Sequence, residues 1–148
     1  RIKGLSFTGL LSENTYDDKN DNSQIWLTSI NELTYLFLGD ISAEVERELI
    51  DQYPNLQVDL LKIAHHGSKS STSDYLLRSL NPYLSIISVG KDNIYHHPSY
   101  EVLERLEAYR IPYLQTATSG DISIYFGHFF NLVHTSNHEF VIINKVIK

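Results

Sequence analysis

The feature that most constrains the fold is a strand–turn–helix unit that recurs along the middle of the chain. Apolar runs of strand length lie at Leu33–Leu38, Val58–Ala64 and Leu84–Val89. Each run ends in a polar or glycine-containing turn, and a segment with helical spacing of its apolar residues follows that turn. Strands that alternate with helices favour a sheet covered by helices. The sequence therefore predicts an α/β layered domain with a largely buried sheet.

The predicted helices have recognisable starts. Ser42 is a good N-cap for the first helix, and the acidic residues that follow it suit the positive end of the helix dipole. The second helix is predicted over Ser71–Leu80, where Ser71 and Asp74 resemble a capping box. Pro98 is well placed at the start of the third helix.

Further strands are predicted before this unit. A strand near Leu5–Leu11 comes first. The Asn- and Asp-rich segment Ser12–Ser23 is predicted to be a loop, which we expect to be mobile. Gln24–Ile30 and Leu33–Leu38 are interpreted as two strands joined by a hairpin turn at Asn31-Glu32.

More strands are predicted after the third helix. Ile111–Thr116 and Asp121–Phe126 are predicted to form a strand pair around Ser119-Gly120. Phe140–Val146 is interpreted as a last strand. The segment Gly127–His138 follows no clear pattern and receives no assignment, so residues 127–148 are treated as a tail of uncertain structure.

Composition restricts the possible partners and ligands. The formal net charge is −6, so no overall positive field attracts nucleic acid, and a sequence-reading DNA binder is disfavoured. Cysteine is absent, so a metal must be held by histidine and carboxylate ligands. No apolar run approaches the roughly 20 residues that a membrane-spanning helix needs. A metal-dependent phosphodiesterase is compatible with all three observations.

Residues suited to chemistry follow three successive predicted strands. In open α/β sheets, sites form where strands give way to loops. Carboxylate and imidazole groups held there are suitable ligands for a hydrolytic metal site. The three segments are Gly39-Asp40, His65-His66-Gly67-Ser68 and Asn93-Ile94-Tyr95-His96-His97-Pro98.

Each of these segments also has an ordinary structural explanation. Gly-Asp is common at turns, a histidine pair often lies in a polar loop, and His-Pro often begins a helix. His128, His134 and His138 lie in the unpatterned tail and are interpreted as structural. The joint occurrence of the three segments at successive strand ends favours a functional site over these separate explanations.

A longer stretch resembles the ComEC-type metallo-β-lactamase domains. Asp59–Ser71 is similar to the "DvLKvgHHGSktS" block of that family, and Leu36–Asp40 resembles its "LLtGD" segment. The residues from Asn81-Pro82 to Val102-Leu103 match the next block in order and spacing, and the resemblance covers about residues 5 to 126. It implies a metallo-β-lactamase-like αββα sandwich, with residues 1–148 as one partial domain, its C-terminal half to two-thirds.

The principal ligand motif of that family, His-x-His-x-Asp-His, is absent from the 148 residues. The chain begins at Arg1 and contains no methionine, so we expect a piece of a longer protein that begins mid-domain. A relative that never had the motif is the alternative. The isolated chain is expected to be catalytically silent, because it holds too few ligands for two metals.

The resemblance implies a site with two divalent ions, manganese or zinc. Asp40 would be the carboxylate that bridges the ions, and His65 and His97 would be further metal ligands. His66 is the alternative to His65. Position 96 is His where the family usually has Gly, so His96 also stays a candidate beside His97.

The resemblance also implies roles in catalysis for three residues. His66 would contact the scissile phosphate and, when protonated, help the leaving oxygen depart. Ser68 and Asn93 would position the substrate or the loops. Water activated by the metals would attack the phosphorus atom.

The activity implied by the resemblance is a nuclease domain of a bacterial DNA-uptake protein. Single-stranded DNA would be the substrate, and upstream segments of the parent would anchor it in the cell membrane with this domain on the extracytoplasmic face. The alternatives are a phosphorylcholine-esterase-like hydrolase of small phosphoesters and a non-catalytic scaffold of the uptake channel. Missing strands would leave sheet edges exposed, so the fragment is also a candidate homodimer.

Overall fold

This computed structural model describes residues 5–128 and 130–144, which contain two sheets, four α-helices and a short 3-10 turn at Ala64–Gly67. The helices are α1 (Ala43–Gln52), α2 (Asp74–Leu80), α3 (Tyr100–Ala108) and the single turn α4 (Thr116–Ser119). The strands are β1 (Phe7–Leu10), β2 (Ile25–Ile30), β3 (Leu33–Phe37), β4 (Leu60–Lys62), β5 (Leu84–Ile87), β6 (Tyr113–Gln115), β7 (Ile122–Phe126), β8 (Phe130–Thr135) and β9 (Phe140–Asn144).

The larger sheet has six strands in the order β1-β2-β3-β4-β5-β6. β1, β2 and β3 pair antiparallel, whereas β3, β4, β5 and β6 pair parallel. Because neighbouring parallel strands end on the same edge, the turns after β3, β4 and β5 meet at that edge. The predicted α/β class is confirmed; the metallo-β-lactamase fold stays a prediction.

The first layer beside this sheet consists of helices α1, α2 and α3. Leu61 on β4 packs in one apolar cluster with Leu49 of α1, Leu77 of α2 and Leu106 of α3. All four side chains are fully buried. Removing each from water contributes about 2 kcal/mol of hydrophobic free energy, so this cluster is a main source of stability.

The opposite face of the six-stranded sheet is covered by the antiparallel sheet β7-β8-β9. Leu60 and Leu84, whose neighbours along the strands face the helices, cluster with Val133 of β8 and Ile143 of β9. The side-chain amide of Asn31 joins the sheets as well, donating to the oxygens of Gly127 (3.1 Å) and Asn131 (2.8 Å). The described layers are therefore helices, a six-stranded sheet and a three-stranded sheet.

An exposed apolar patch lies on β1, β2 and β3, beyond the three-stranded sheet. Phe7, Trp26 and Phe37 line it, and the rings of Phe7 and Trp26 meet edge to face with centroids 6.3 Å apart. Phe37 is two residues from Tyr35, which packs beneath the three-stranded sheet, so both side chains lie on the same face.

The N-terminal strand predictions are confirmed. β2 and β3 form the predicted hairpin, in which Ile30 pairs with Leu33. Asn31 and Glu32 have φ angles of 52° and 69°, and two positive φ angles are characteristic of the tight hairpin turn that matches the twist of the strands. The segment from Ser12 to Ser23 contains no helix or strand, as the loop prediction requires.

The predicted pairing of Ile111–Thr116 with Asp121–Phe126 is wrong. β6 pairs with β5 in the six-stranded sheet, and β7 pairs with β8 in the other sheet. A hairpin does not form around Ser119-Gly120, because the chain takes the helical turn α4 there and crosses to the second sheet. The partner strand β8 lies in the segment that showed no clear pattern.

The predicted start of the second helix is also wrong. α2 begins at Asp74, and the hydroxyl of Ser73 accepts a hydrogen bond from the Leu76 amide (3.2 Å). Ser71 is fully buried and its hydroxyl donates to the carbonyl oxygens of Ala64 (3.1 Å) and Ser68 (3.0 Å). Ser71 therefore closes the preceding loop, and the cap lies two residues later.

The other element ends agree with the predictions to within a residue or two. Ser42 is the N-cap of α1, although its side chain makes no capping bond. α3 begins at Tyr100, so Pro98 precedes the cap residue Ser99. β9 confirms the last strand as far as Asn144, whereas the predicted extension to Val146 lies outside the described residues. In the described part of the chain no helix has the length and apolar character needed to cross a membrane.

Candidate functional site

The turn after β3 carries Asp40. Gly39 before it has a φ angle of +61°, and a Cβ atom there would lie 2.5 Å from Cβ of Ser23, so only glycine fits. The Asp40 amide donates to the hydroxyl of Ser23 (3.1 Å), and the Gly39 oxygen accepts from the amide of His65 (2.9 Å). Because this last bond connects the ends of β3 and β4, Asp40 is held beside the turn Ala64–Gly67, which we call the histidine turn.

The turn after β4 carries His65 and His66. Their φ angles are 47° and 55°, a left-handed backbone that residues other than glycine rarely adopt. The Ser68 amide donates to the oxygen of His65 (2.9 Å), which closes the turn. Backbone outliers of this kind occur at functional sites more often than elsewhere, and this one directs two imidazoles toward the same edge.

The hydrogen bonding of His66 fixes its tautomer. Nδ1 lies 2.7 Å from the carbonyl oxygen of Ser88, which only accepts, so Nδ1 carries the proton. Nε2 points the other way and lies 3.9 Å from Oδ1 of Asp40. Neutral His66 therefore presents a free lone pair at Nε2, as a metal ligand or general base requires.

The loop after β5 carries His97 and is held by Asn93. The Asn93 side-chain amide donates to the oxygens of Gly90 (3.0 Å) and His97 (2.8 Å), and its oxygen accepts from the His97 amide (2.8 Å). Burial, followed by the neighbouring His65 and His66, lowers the pKa of His97. This loop therefore presents an imidazole whose neutral form is favoured by its surroundings.

Gly67 brings the second and third turns into contact. Its φ angle is +82°, and a Cβ atom at this position would lie 2.6 Å from Cβ of Pro98. Its carbonyl oxygen accepts from the Ser99 amide (2.8 Å). The close approach places His65, His66 and His97 around a common space.

Asp40, His65, His66 and His97 line one cleft of about 410 Å³. The ring centroids of His65 and His97 are 6.0 Å apart across it. A second cavity of about 200 Å³ also contacts His66 and His97, and Asn93 lines this second one. The structure thus brings together five of the six predicted site residues, while their chemical roles stay predictions.

The other candidates lie elsewhere. Ser68 lines neither cavity and is only 8% exposed, and its hydroxyl lies 3.0 Å from that of Ser70. Its role, to position the substrate or the loops, stays a prediction. His96 is exposed and lines neither cavity, so the geometry favours His97 over His96 as the predicted metal ligand from this loop. The three tail histidines, His128, His134 and His138, line neither cavity.

Three residues near the site were not named as site residues from the sequence, although one of them, Tyr95, lies in the candidate segment Asn93–Pro98. Asn20 and Tyr95 line the cleft, and Tyr95 lines the second cavity too. Lys62 lies at the end of β4; burial lowers its pKa, and the charge of Asp40 opposes that shift. Lys62 could have been selected from the sequence, because a charged residue is unusual inside an apolar strand. Asn20 could not, because nothing in the sequence distinguishes it from its polar neighbours.

The ligand chemistry of the cleft suits zinc or manganese, both of which bind carboxylate and imidazole groups. However, no three His, Cys, Asp or Glu side chains among residues 5–128 and 130–144 are arranged to hold an ion. The described residues therefore offer the types of ligand atom that these metals prefer, but they supply only part of a complete set of ligands. Asp40, His65 and His97 stay predicted ligands.

Comparison with known proteins gave several clear relatives. No family model matches the chain. It is 38% identical over 124 residues to ComE operon protein 3 of Bacillus subtilis (strain 168), covering 82% of this chain and 16% of that protein. Recombination protein 2 of Haemophilus influenzae is 37% identical over 126 residues, covering 84% of this chain and 16% of the relative. Competence protein ComA of Neisseria gonorrhoeae is 32% identical over 117 residues, covering 78% of this chain and 17% of the relative. The chain spans about one sixth of the length of the curated relatives it matches.

Proposed function

The chain belongs to the ComEC family of competence proteins through the segment it shares with them, and from that premise we propose that it is part of a metal-dependent phosphodiesterase domain acting on DNA. The competence relatives support a role in natural transformation. The finer proposal is that the domain hydrolyses single-stranded DNA during uptake. We further propose a membrane-anchored parent with this domain on the extracytoplasmic face.

One observation carries the proposal. Asp40, His65, His66 and His97 come from the ends of three strands, separated by up to 57 positions, and line the same cleft. A structural explanation of each turn taken singly does not require them to meet. A carboxylate and several imidazoles at one open cleft are the groups that phosphodiester hydrolysis uses.

The residues of the chain have separable roles in the proposed reaction. Asp40, His65 and His97, with ligands outside the described residues, would hold manganese or zinc ions, which when bound supply positive charge and an activated water. The Ser88 carbonyl fixes the ring of His66, so Nε2 stays directed into the cleft. His66, when protonated at Nε2, 3.9 Å from Oδ1 of Asp40, would give that proton to the leaving oxygen. Asn93 would hold the His97 loop in place during the reaction.

The test is manganese-dependent cleavage of single-stranded DNA by the protein in its full natural length. Asp40→Asn removes the negative charge of a residue that would hold the metal, with little change in shape, and we expect a loss of about a hundredfold or more in kcat/KM. Asp51→Asn is the matched control, because Asp51 lies on α1 and bonds only the exposed Tyr75 hydroxyl (2.7 Å) in the described contacts.

The outcomes separate the competing functions. Cleavage that is lost in Asp40→Asn and kept in Asp51→Asn supports the nuclease proposal. A folded wild-type protein that binds metal and leaves DNA intact indicates a small phosphoester substrate. A folded protein that neither binds metal nor cleaves indicates a scaffold domain of the uptake channel.

A further inference from the structure

Tyr95 is a solvent-exposed aromatic residue at the mouth of the candidate site. Its side chain is 73% exposed, and it lines both the larger cleft and the second cavity. His66 and His97 are the other residues that line both. Tyr95 therefore lies beside both imidazoles on the solvent-exposed side of the site.

The ring of Tyr95 is oriented by His97. The two rings are nearly parallel, with an interplanar angle of 17° and centroids 5.8 Å apart. One face of the phenol ring is thus directed toward the imidazole. With most of the side chain in solvent, the phenol ring has room to take a second flat group.

The loop that carries Tyr95 is held in place on both sides. Asn93 makes its three bonds to Gly90 and His97, and the His96 amide donates to the Asn93 oxygen (3.2 Å). A single exposed aromatic on a protein surface needs no explanation. An exposed aromatic fixed beside a site for phosphate chemistry provides a preformed surface for stacking.

The charge of the chain indicates why such a surface is needed. The formal net charge is −6, so broad attraction of the phosphate backbone does not supply affinity for DNA. Base–aromatic stacking is the other general source of affinity for single strands, contributing about 1–3 kcal/mol per base without sequence preference.

We infer that Tyr95 is the platform on which a nucleobase of the substrate stacks while the adjoining phosphate lies against His66 and His97. The inference rests on the proposed function and deepens it, because it selects single-stranded nucleic acid over small esters that have no base. It assigns Tyr95 to substrate binding, so its effect belongs in KM.

The test compares two oligonucleotides of the same length and charge, one of thymidine and one with abasic positions throughout. Wild-type full-length protein should cleave the thymidine strand with about tenfold higher kcat/KM, the difference residing in KM. Tyr95→Ala should remove most of that preference, because the loss in kcat/KM should be about tenfold larger on the thymidine strand than on the abasic strand. Tyr95→Phe should retain the preference, because the ring is kept.

Tyr83→Ala is the matched control, since Tyr83 is 50% exposed and lines neither cavity. An equal loss on both strands in Tyr95→Ala, or an undiminished preference, would overturn the inference. If the wild-type protein cleaves neither strand, the proposed function fails. Binding of the same labelled strands, measured by fluorescence anisotropy, then tests the inference separately. If Tyr95→Ala binds the thymidine strand more weakly than wild type does and binds the abasic strand equally well, stacking is supported. If the two proteins have equal Kd values for the thymidine strand, the inference is overturned.

Discussion

Three consecutive left-handed residues define the site at the residue scale. His65, His66 and Gly67 have φ angles of 47°, 55° and 82°. The two histidines each cost about 1–3 kcal/mol in this conformation, whereas glycine adopts it freely. The contacts of the turn offset that cost, among them the bond from the Ser68 amide to His65. The turn thus maintains an unfavourable backbone while presenting two imidazoles to the cleft.

Gly67→Ala tests how tightly this turn is packed. The added Cβ would lie 2.6 Å from Cβ of Pro98, at a φ angle that alanine disfavours. We expect the free energy of unfolding to fall by at least about 2 kcal/mol, measured by urea denaturation. Gly90→Ala is the control, because no atom lies within 4 Å of its added Cβ. It should change stability by less than about 0.5 kcal/mol. Equal stability of the two variants would contradict the described contact.

The grouping of site residues was predictable from the sequence, and their fine positions were not. Asp40, His65 and His97 each follow an apolar strand, and parallel strands bring such positions to one edge. The burial of Ser68 and the contact of its hydroxyl with that of Ser70 (3.0 Å) are tertiary features of the folded turn. No sequence pattern specifies the positive φ angles of His65 and His66 in that turn.

Two helices fix the start of a third at the scale of elements. Glu46 of α1 is fully buried, and its carboxylate oxygens accept from the amides of Thr72 and Ser73 (2.8 Å for Ser73). Arg105 of α3 donates to the carbonyl oxygens of Ser71 (2.9 Å) and Thr72. The loop after the histidine turn is therefore held by a carboxylate and by a guanidinium.

Glu46 gives the fold a characteristic pH dependence. Burial raises its pKa above the usual 4.5, although the Ser73 and Thr72 bonds and Arg105 oppose the shift. The folded state then keeps a proton that the unfolded chain releases, so this contribution to stability is present below 4.5 and is lost as pH rises through the folded-state pKa.

Glu46→Gln tests that sign. Near pH 4 the protonated carboxyl still has two oxygens that can accept, whereas the glutamine NH2 group only donates. One buried amide therefore loses its partner in Glu46→Gln, and we expect a loss of about 1–3 kcal/mol in the free energy of unfolding. The gap to wild type should narrow as pH rises toward about 7, because only wild type deprotonates. Exposed Glu44→Gln is the control and should show no such convergence. If the difference in the free energy of unfolding between Glu46→Gln and wild type instead grew with pH, the folded protein would favour the ionised form of Glu46 over the protonated form, against the prediction.

Element predictions were right where one pattern decides and wrong where tertiary contacts decide. The Asn31-Glu32 hairpin follows from local turn chemistry. The partner of β7 depends on β8, a strand whose residues alternate less clearly between polar and apolar. The start of α2 depends on Ser71, which the folded chain recruits for Ala64 and Ser68.

At the scale of the whole molecule, the three-stranded sheet stabilises the rest through one apolar interface. Val133 is fully buried there, whereas Ile142 on the neighbouring strand is 61% exposed. Val133→Thr keeps the shape and buries a hydroxyl, so we expect a loss of about 1–3 kcal/mol in urea unfolding. Ile142→Thr should stay within about 0.5 kcal/mol of wild type. Equal effects would indicate that the sheets do not pack together.

The apolar patch on β1, β2 and β3 contains the one tryptophan of the 148 residues. Intrinsic fluorescence excited selectively at the indole therefore reports on this surface and on no other part of the chain. Trp26 lines the patch together with Phe7 and Phe37. An apolar surface that covers the patch therefore removes water from the indole and shifts its emission to shorter wavelength. A shift that grows with protein concentration would signal a second copy, and a shift on adding lipid vesicles would signal a bilayer. The molecule thus carries its own optical probe of what this face touches.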